Sequence, residues 1–247
     1  MTFNYLKKHL ILVILAFVST SLYLLDYFII GNASDIAASF LGNLAFLPVY
    51  VIFVTLMIER IMRERERQTI MRKLNMVIGV FFSEVGNRLL KELSAYVVMC
   101  DDLRSRLRVN GAWKAEDFQM ALQYLTSHDT QINCSGCDKQ KLKDFLVSKR
   151  SFLVGLLENQ NLLEHEQFTD LLWSVFHLVE ELEARQSFDS MPASDTDHLN
   201  GDIKRAFGYL SREWVYYMKH LKHDYPYLFS LAVRLNPMLD HPDPLVY

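Results

Sequence analysis

Three small groups of residues in this chain have types and spacings that could do chemistry. Cys134-Ser135-Gly136-Cys137 sets two thiols at the spacing that supplies half of a zinc site or cycles as a dithiol. The motif precedes a predicted helix amino end, where the macrodipole would lower a thiol pKa. The other half of a zinc knuckle is missing, because the chain has no second CxxC and no HxxxH. Cys100, His128 or His165 could complete the set only through tertiary proximity. A dithiol enzyme of the thioredoxin type would need a βαβ setting, which the pattern lacks, so an ordinary loop is the competing reading.

His177 and Glu180, in His177-Leu178-Val179-Glu180-Glu181, lie one helical turn apart. Pairs of this kind chelate iron or manganese in helical bundles when other helices add carboxylates, and Glu84, Glu213 and His220 are the candidates to do so. The di-metal pattern needs two Glu-x-x-His units, and neither copy is present. An amphipathic helix with a polar edge explains the pair equally. His220 and His223, followed by Asp224-Tyr225-Pro226-Tyr227, form an imidazole- and aromatic-rich corner that suits a ligand pocket, a pH-responsive element or helix-turn packing. The sequence contains no glycine-rich phosphate loop, nucleophile elbow, HExxH or kinase signature. No reaction can be assigned, and no cofactor is expected.

The elements that would position these groups begin with two long apolar runs. Leu10 to Ile30 is 21 residues with one charge, Asp26, and Ile36 to Ile58 is 23 residues with none. At about 1.5 Å of rise per residue, each just crosses a hydrocarbon core of roughly 30 Å. Residues 31–35 between them are a short polar turn, so the two helices are antiparallel. Lys7 and Lys8 precede the first span, no Lys or Arg occurs between His9 and Glu59, and Arg60, Arg63, Arg65, Arg67, Arg72 and Lys73 follow the second. The positive-inside rule then places both termini in the cytoplasm, with the protein multi-pass in the cell's inner (plasma) membrane. A cleaved signal peptide over residues 1–39 is the competing reading, and it too leaves the downstream domain cytoplasmic.

Ser19, Thr20, Ser21, Asp26 and Asn43 lie within the spans. They form either a polar seam of an oligomeric channel or transporter subunit, or helix–helix contacts through small and hydroxyl side chains with Asp26 reaching the outer interface. Pro48 is expected to kink the second helix. Beyond it, residues 59–73 form a charged helical stalk with opposite charges three or four apart, such as Glu59/Arg63 and Arg60/Glu64. Arg60, Arg63, Arg65 and Arg67 can contact anionic lipid head groups there.

Residues 74–235 read as an all-helical domain of about five helices, and residues 236–247 as an extended tail. A helix starts at the apolar run Leu74–Phe82 and continues through Val85, Leu89, Leu93 and Cys100 to Asn110-Gly111. Others cover about 114–127, 138–158, 164–185 and 198–222, and a short one starts at Pro226. Gln186–Asp197 reads as a polar linker.

Charge agrees with this layout. Residues 1–73 carry eight Lys/Arg against five Asp/Glu, leaving 18 against 24 in the remainder. An acidic domain excludes nucleic acid as a partner, and three cysteines make no disulfide framework. The fold class is therefore all-α: a transmembrane hairpin, a stalk and a cytoplasmic bundle. The function this implies is a non-enzymatic, homo-oligomeric membrane protein whose domain binds a cytoplasmic protein partner or relays a signal. The channel subunit is the alternative.

Overall fold

In the computed structural model, residues 14, 17–22, 24, 25, 27–29, 33–159, 162 and 165–246 are described. The chain divides into two compact units, residues 1–67 and 68–247. Among the described residues there is no strand, and the all-helical reading holds.

In the first unit the described residues between 14 and 29 are helical and exposed, Ser19, Thr20 and Ser21 among them. Asp26 lies outside the described residues. Helix α1, Ala33–Phe81, is 49 residues long and runs through Pro48 without interruption. By length and composition α1 is apolar enough to cross a membrane. Its large apolar side chains, including Phe40, Phe53 and Ile58, are exposed. Asn43, Arg60, Arg63, Arg65 and Arg67 are exposed too, and Arg63 pairs with Glu59 at 3.2 Å.

The second unit is built around an aromatic cluster that begins where α1 ends. A single π-helical turn, Phe82–Gly86, follows α1 and leads into α2, Asn87–Ser94. The wider turn places consecutive Phe81 and Phe82 both in the interior. Phe81 meets Phe168 edge-on at 5.3 Å, and Phe82 stacks on Tyr217 at 4.7 Å. Trp214, fully buried, donates its indole N–H to Asn87 Oδ1 at 3.2 Å. One buried aromatic set thus ties this turn to two later helices.

The remaining elements are α3 (Cys100–Arg106), α4 (Ala115–Ser127), α5 (Lys139–Ser148), α6 (Arg150–Leu157), α7 (Glu166–Ala184), α8 (Ala193–Asp224) and α9 (Pro226–Arg234). Three differ from the sequence reading. The helix expected to run to Asn110 stops at Ser94 and resumes at Cys100, because Met99 adopts a left-handed conformation with φ of 57°. In the gap, Val98 N–H donates to Gln131 O and Asn133 N–H to Tyr96 O, both at 2.9 Å, around an isolated bridge between Val97 and Ile132. The helix expected over 138–158 breaks at Lys149 into α5 and α6. Helix α8 starts five residues before the expected His198, just after Pro192, which shortens the linker to 185–192.

Helices α7 and α8 form an antiparallel hairpin across that linker. Buried residues of α7, such as Leu171, Leu172, Val175 and Val179, share the core with Leu199, Ile203, Phe207 and Leu210 of α8. Helix α8 also buries an acid, Glu213, at 4% exposure.

Two expectations follow. A Cβ on Gly86 would stand 2.5 Å from Phe82 Cδ1 and 2.9 Å from Phe81 Cε1, both atoms of packed rings. Gly86→Ala should therefore cost about 1–3 kcal/mol, read as a lower midpoint in denaturant melts. Burial pushes Glu213 up to about 7 from 4.5. The folded state then keeps a proton that the unfolded chain has lost, so stability is full below the lower value. It declines as pH rises toward the higher value and levels off above it. Glu213→Gln should remove this decline, roughly 3 kcal/mol, and melt above the parent at about pH 8 but level with it at about pH 4.

Candidate metal centre

The α7–α8 hairpin carries two side-chain pairs with i,i+4 spacing, His177 with Glu181 and His198 with Asp202. On a helix such residues stack on one face. Each pair sits at the edge of a buried stripe: Leu178 and Val179 flank His177, and Leu199 and Ile203 flank His198 and Asp202. Because the helices are antiparallel and share a core, the pairs face each other. One donor atom from each of the four residues lies within 4.8 Å of all the others.

The arrangement is a four-cornered one in which imidazoles and carboxylates alternate. His177 Nε2 is 3.5 Å from Asp202 Oδ1 and 3.8 Å from Glu181 Oε1. His198 Nε2 is 3.3 Å from Asp202 Oδ2 and 3.7 Å from Glu181 Oε1. These separations exceed a normal hydrogen bond. A tetrahedron around a zinc-sized ion has edges of about 3.3–3.5 Å for bonds near 2.0–2.1 Å, so His198 and Asp202 already stand at that spacing and the Glu181 contacts, at 3.7 and 3.8 Å, need to close by a few tenths of an ångström.

Asp202 is the buried member, at 2% exposure. Arg205 Nη1 donates to its Oδ1 at 2.9 Å. Its Oδ2 has no hydrogen-bond partner among the described residues. A carboxylate oxygen without a donor at such depth is costly, and a cation among the four corners would satisfy it. Glu181 is oriented from outside. Arg185 Nη1 donates to its Oε2 at 2.7 Å, leaving Oε1 toward the imidazoles, and the same guanidinium holds Asp195 at 2.6 and 3.2 Å. Arg185 holds the Glu181 carboxyl below the usual range against the opposing effect of burial, so it is ready to ligate without losing a proton. Lys143 Nζ donates to the carbonyls of Arg185 at 2.6 Å and Glu183 at 3.4 Å, capping the carboxyl end of α7 beside the site.

The other residues singled out in the sequence are placed differently. Glu180 is exposed and outside the group, and Glu181, one residue on, is the carboxylate that meets His177. Glu84 is exposed and pairs with Lys149 at 3.0 Å. Cys134 is buried, with its N–H donating to Asn200 Oδ1 at 2.9 Å, while the Cys137 thiol donates to Ala95 O at 3.3 Å. Burial pushes both thiols up, the reverse of the lowering expected from a helix amino end. The amino end of α5 is capped by Asp138, which accepts from Lys141 N–H at 2.9 Å. His220 and His223 both meet Asp224 at 2.7 Å, and Tyr225 meets the His220 ring edge-on at 5.6 Å. Glu181, His198 and Asp202 went unrecognised in the sequence. Their signal is a pair of i,i+4 His/carboxylate spacings flanking one short linker.

These features define an all-helical protein with a two-histidine, two-carboxylate constellation on a helical hairpin. The chain belongs to the MJ1433 family: residues 70–234 match its C-terminal helical domain and residues 4–62 its N-terminal helical domain. It is 41% identical over 228 residues to the protein described as "Uncharacterized protein MJ1433" of Methanocaldococcus jannaschii, covering 92% of each chain. No solved structure matches it.

Zinc titration distinguishes the two carboxylates beside His177. His198→Ala and Glu181→Gln should each weaken zinc binding by about 100-fold or more, since each removes a ligand, more than the 10–100-fold typical of outer-shell changes. Glu180→Gln should leave affinity within about twofold.

Proposed function

We propose that this protein is a two-pass inner-membrane protein, with both termini cytoplasmic, whose helical domain is a binding and relay module clasped by one divalent metal ion. The observation that carries the metal reading is the convergence of four donor atoms within 4.8 Å at the buried Asp202, whose Oδ2 accepts no hydrogen bond among the described residues. Two imidazoles and two carboxylates form a mixed nitrogen–oxygen set suited to zinc. Four protein ligands fill a tetrahedral ion, as in structural sites, whereas catalytic zinc keeps a position open. The clasp therefore fixes the register of α7 on α8 rather than carrying out a reaction.

Membrane anchorage is supported by the exposed apolar side chains of α1 and by the confinement of Lys and Arg to both flanks of residues 10–58. Arg60, Arg63, Arg65 and Arg67 then lie at head-group level. The transmembrane hairpin of residues 10–58 is the surface for self-association, and the acidic domain is the surface for a cytoplasmic protein partner. Ser19, Thr20, Ser21 and Asn43 serve helix–helix contact within the membrane.

The test uses the full chain reconstituted in nanodiscs. After removal of metal, one equivalent of zinc per chain should bind. At about 100 times its Kd it should stabilise the domain by roughly 2.7 kcal/mol, a rise in Tm of about 5–10 °C. Cobalt in its place should give the intense visible bands of a tetrahedral centre. Absence of both effects would remove the clasp, and release of the protein from membranes by alkaline wash would remove the anchor.

A further inference from the structure

A second buried acid points to a second site, independent of the metal centre. Glu213, three helical turns along α8 from Asp202, has no hydrogen-bond partner among the described residues and is 4% exposed. It lines a cavity of about 350 Å³ together with Asn75, His165, Gln167, Tyr217 and His220. A smaller cavity of about 150 Å³, bounded by Leu122 and Thr126 of α4, shares Gln167, Glu213 and Tyr216 with it. The larger one falls within the size range of small-molecule sites, about 300–1,000 Å³.

The lining selects by charge. Among the described residues no Lys or Arg borders the larger cavity, and the one cation nearby, Arg212, lines only the smaller, so an anionic ligand would meet Glu213 with no cation in the same cavity to offset it. An apolar ligand would leave the same carboxyl buried and unpaired. A cationic nitrogen satisfies it. The amides of Asn75 and Gln167 offer carbonyl acceptors, and Tyr216 and Tyr217 complete the lining. The two imidazoles are already engaged on one nitrogen. His165 Nδ1 accepts from Phe168 N–H at 3.1 Å, and His220 Nδ1 meets Asn75 Nδ2 at 3.3 Å and Asp224 Oδ2 at 2.7 Å.

We propose that this cavity binds an organic cation of small-metabolite size, an amine or guanidine, whose charged nitrogen pairs with the Glu213 carboxylate. The ligand enters already protonated, and Glu213 gives its own proton to solvent as the pair forms. Burial holds Glu213 at about 7, so the carboxyl carries that proton below neutral pH. Other titratable or charged groups face the cavities from two elements. Tyr216, Tyr217 and His220 share α8 with Arg212 of the smaller cavity, and His165 precedes α7. Helix α1 contributes Met71, Asn75 and Ile78, none of which titrates.

Calorimetry on the full chain in nanodiscs tests this with butylamine, 1,4-diaminobutane and agmatine as probes, at about pH 6 in buffers of different ionisation enthalpy. At least one probe should bind at a single site with release of about 0.9 proton, the share Glu213 holds one unit below its pKa. Glu213→Gln should lose the proton release and weaken binding by at least about 30-fold. Asn75→Ala, which keeps the acid, should weaken it by about tenfold with the proton release intact. His198→Ala should change neither. No binding by any probe at millimolar concentration, binding retained in Glu213→Gln, or binding lost in His198→Ala would each overturn the proposal. If Glu213→Gln does not fold, unaltered binding in Asn75→Ala or absence of proton release from the parent overturns it instead.

Discussion

A carboxylate removed from water must be answered by charge or by hydrogen-bond donors, at a cost otherwise of several kcal/mol. Asp202 imposes that condition on the α7–α8 hairpin. It lies among apolar neighbours, Leu199, Ile203 and Ala206, that share its buried face. Arg205 answers one oxygen from the next turn, with His177 3.5 Å from that same oxygen, and the other looks across to His198 at 3.3 Å. For His177 to reach Asp202, α7 must lie on α8 in one register. Arg185, held at once to Glu181 and Asp195, ties the two helices together at the linker. The apolar stripe brings these helices together, and the polar edge specifies how they align.

Helix α8 resolves its two buried acids in opposite ways. Asp202 has cations and imidazoles within reach. Glu213 has no hydrogen-bond donor or ion-pair partner among the described residues and keeps its proton near neutral pH. Glu213 borders a cavity, and the aromatic cluster of Phe81, Phe82, Trp214 and Tyr217 supplies the rigid packing near it. A helix that must carry two such groups needs many tertiary partners. The contacts of α8 with α2, α4, α7 and α9 provide them.

Helical periodicity made most of the fold legible, because apolar residues at three- and four-residue spacing mark a buried stripe wherever the chain is continuous. It failed where a local conformation overrides the pattern. Met99 sits in a left-handed conformation within an otherwise helical run, and Lys149 breaks a stretch whose apolar spacing continues through it. Neither residue is glycine or proline, the usual punctuation. The start of α8 was missed because residues 194–197 are polar and resemble a loop. For the site, His177 stood out but its partner was taken one residue early. Glu180 and Glu181 are adjacent in sequence, yet about 100° apart around the helix. His198 was read as the first residue of a helix, which hid its alignment with Asp202.

All four corner residues of the hairpin site fall between positions 177 and 202. Closing a loop this short costs little entropy, and the cost grows only slowly with length. The centre therefore needs no contact from α1 to α6 to bring its ligands together, and its assembly is local in the sense that governs folding speed. Were this hairpin to form ahead of the rest of the domain, an ion bound there would act on the folding nucleus. It would then accelerate folding as well as retard unfolding, a kinetic role distinct from its place in the finished structure.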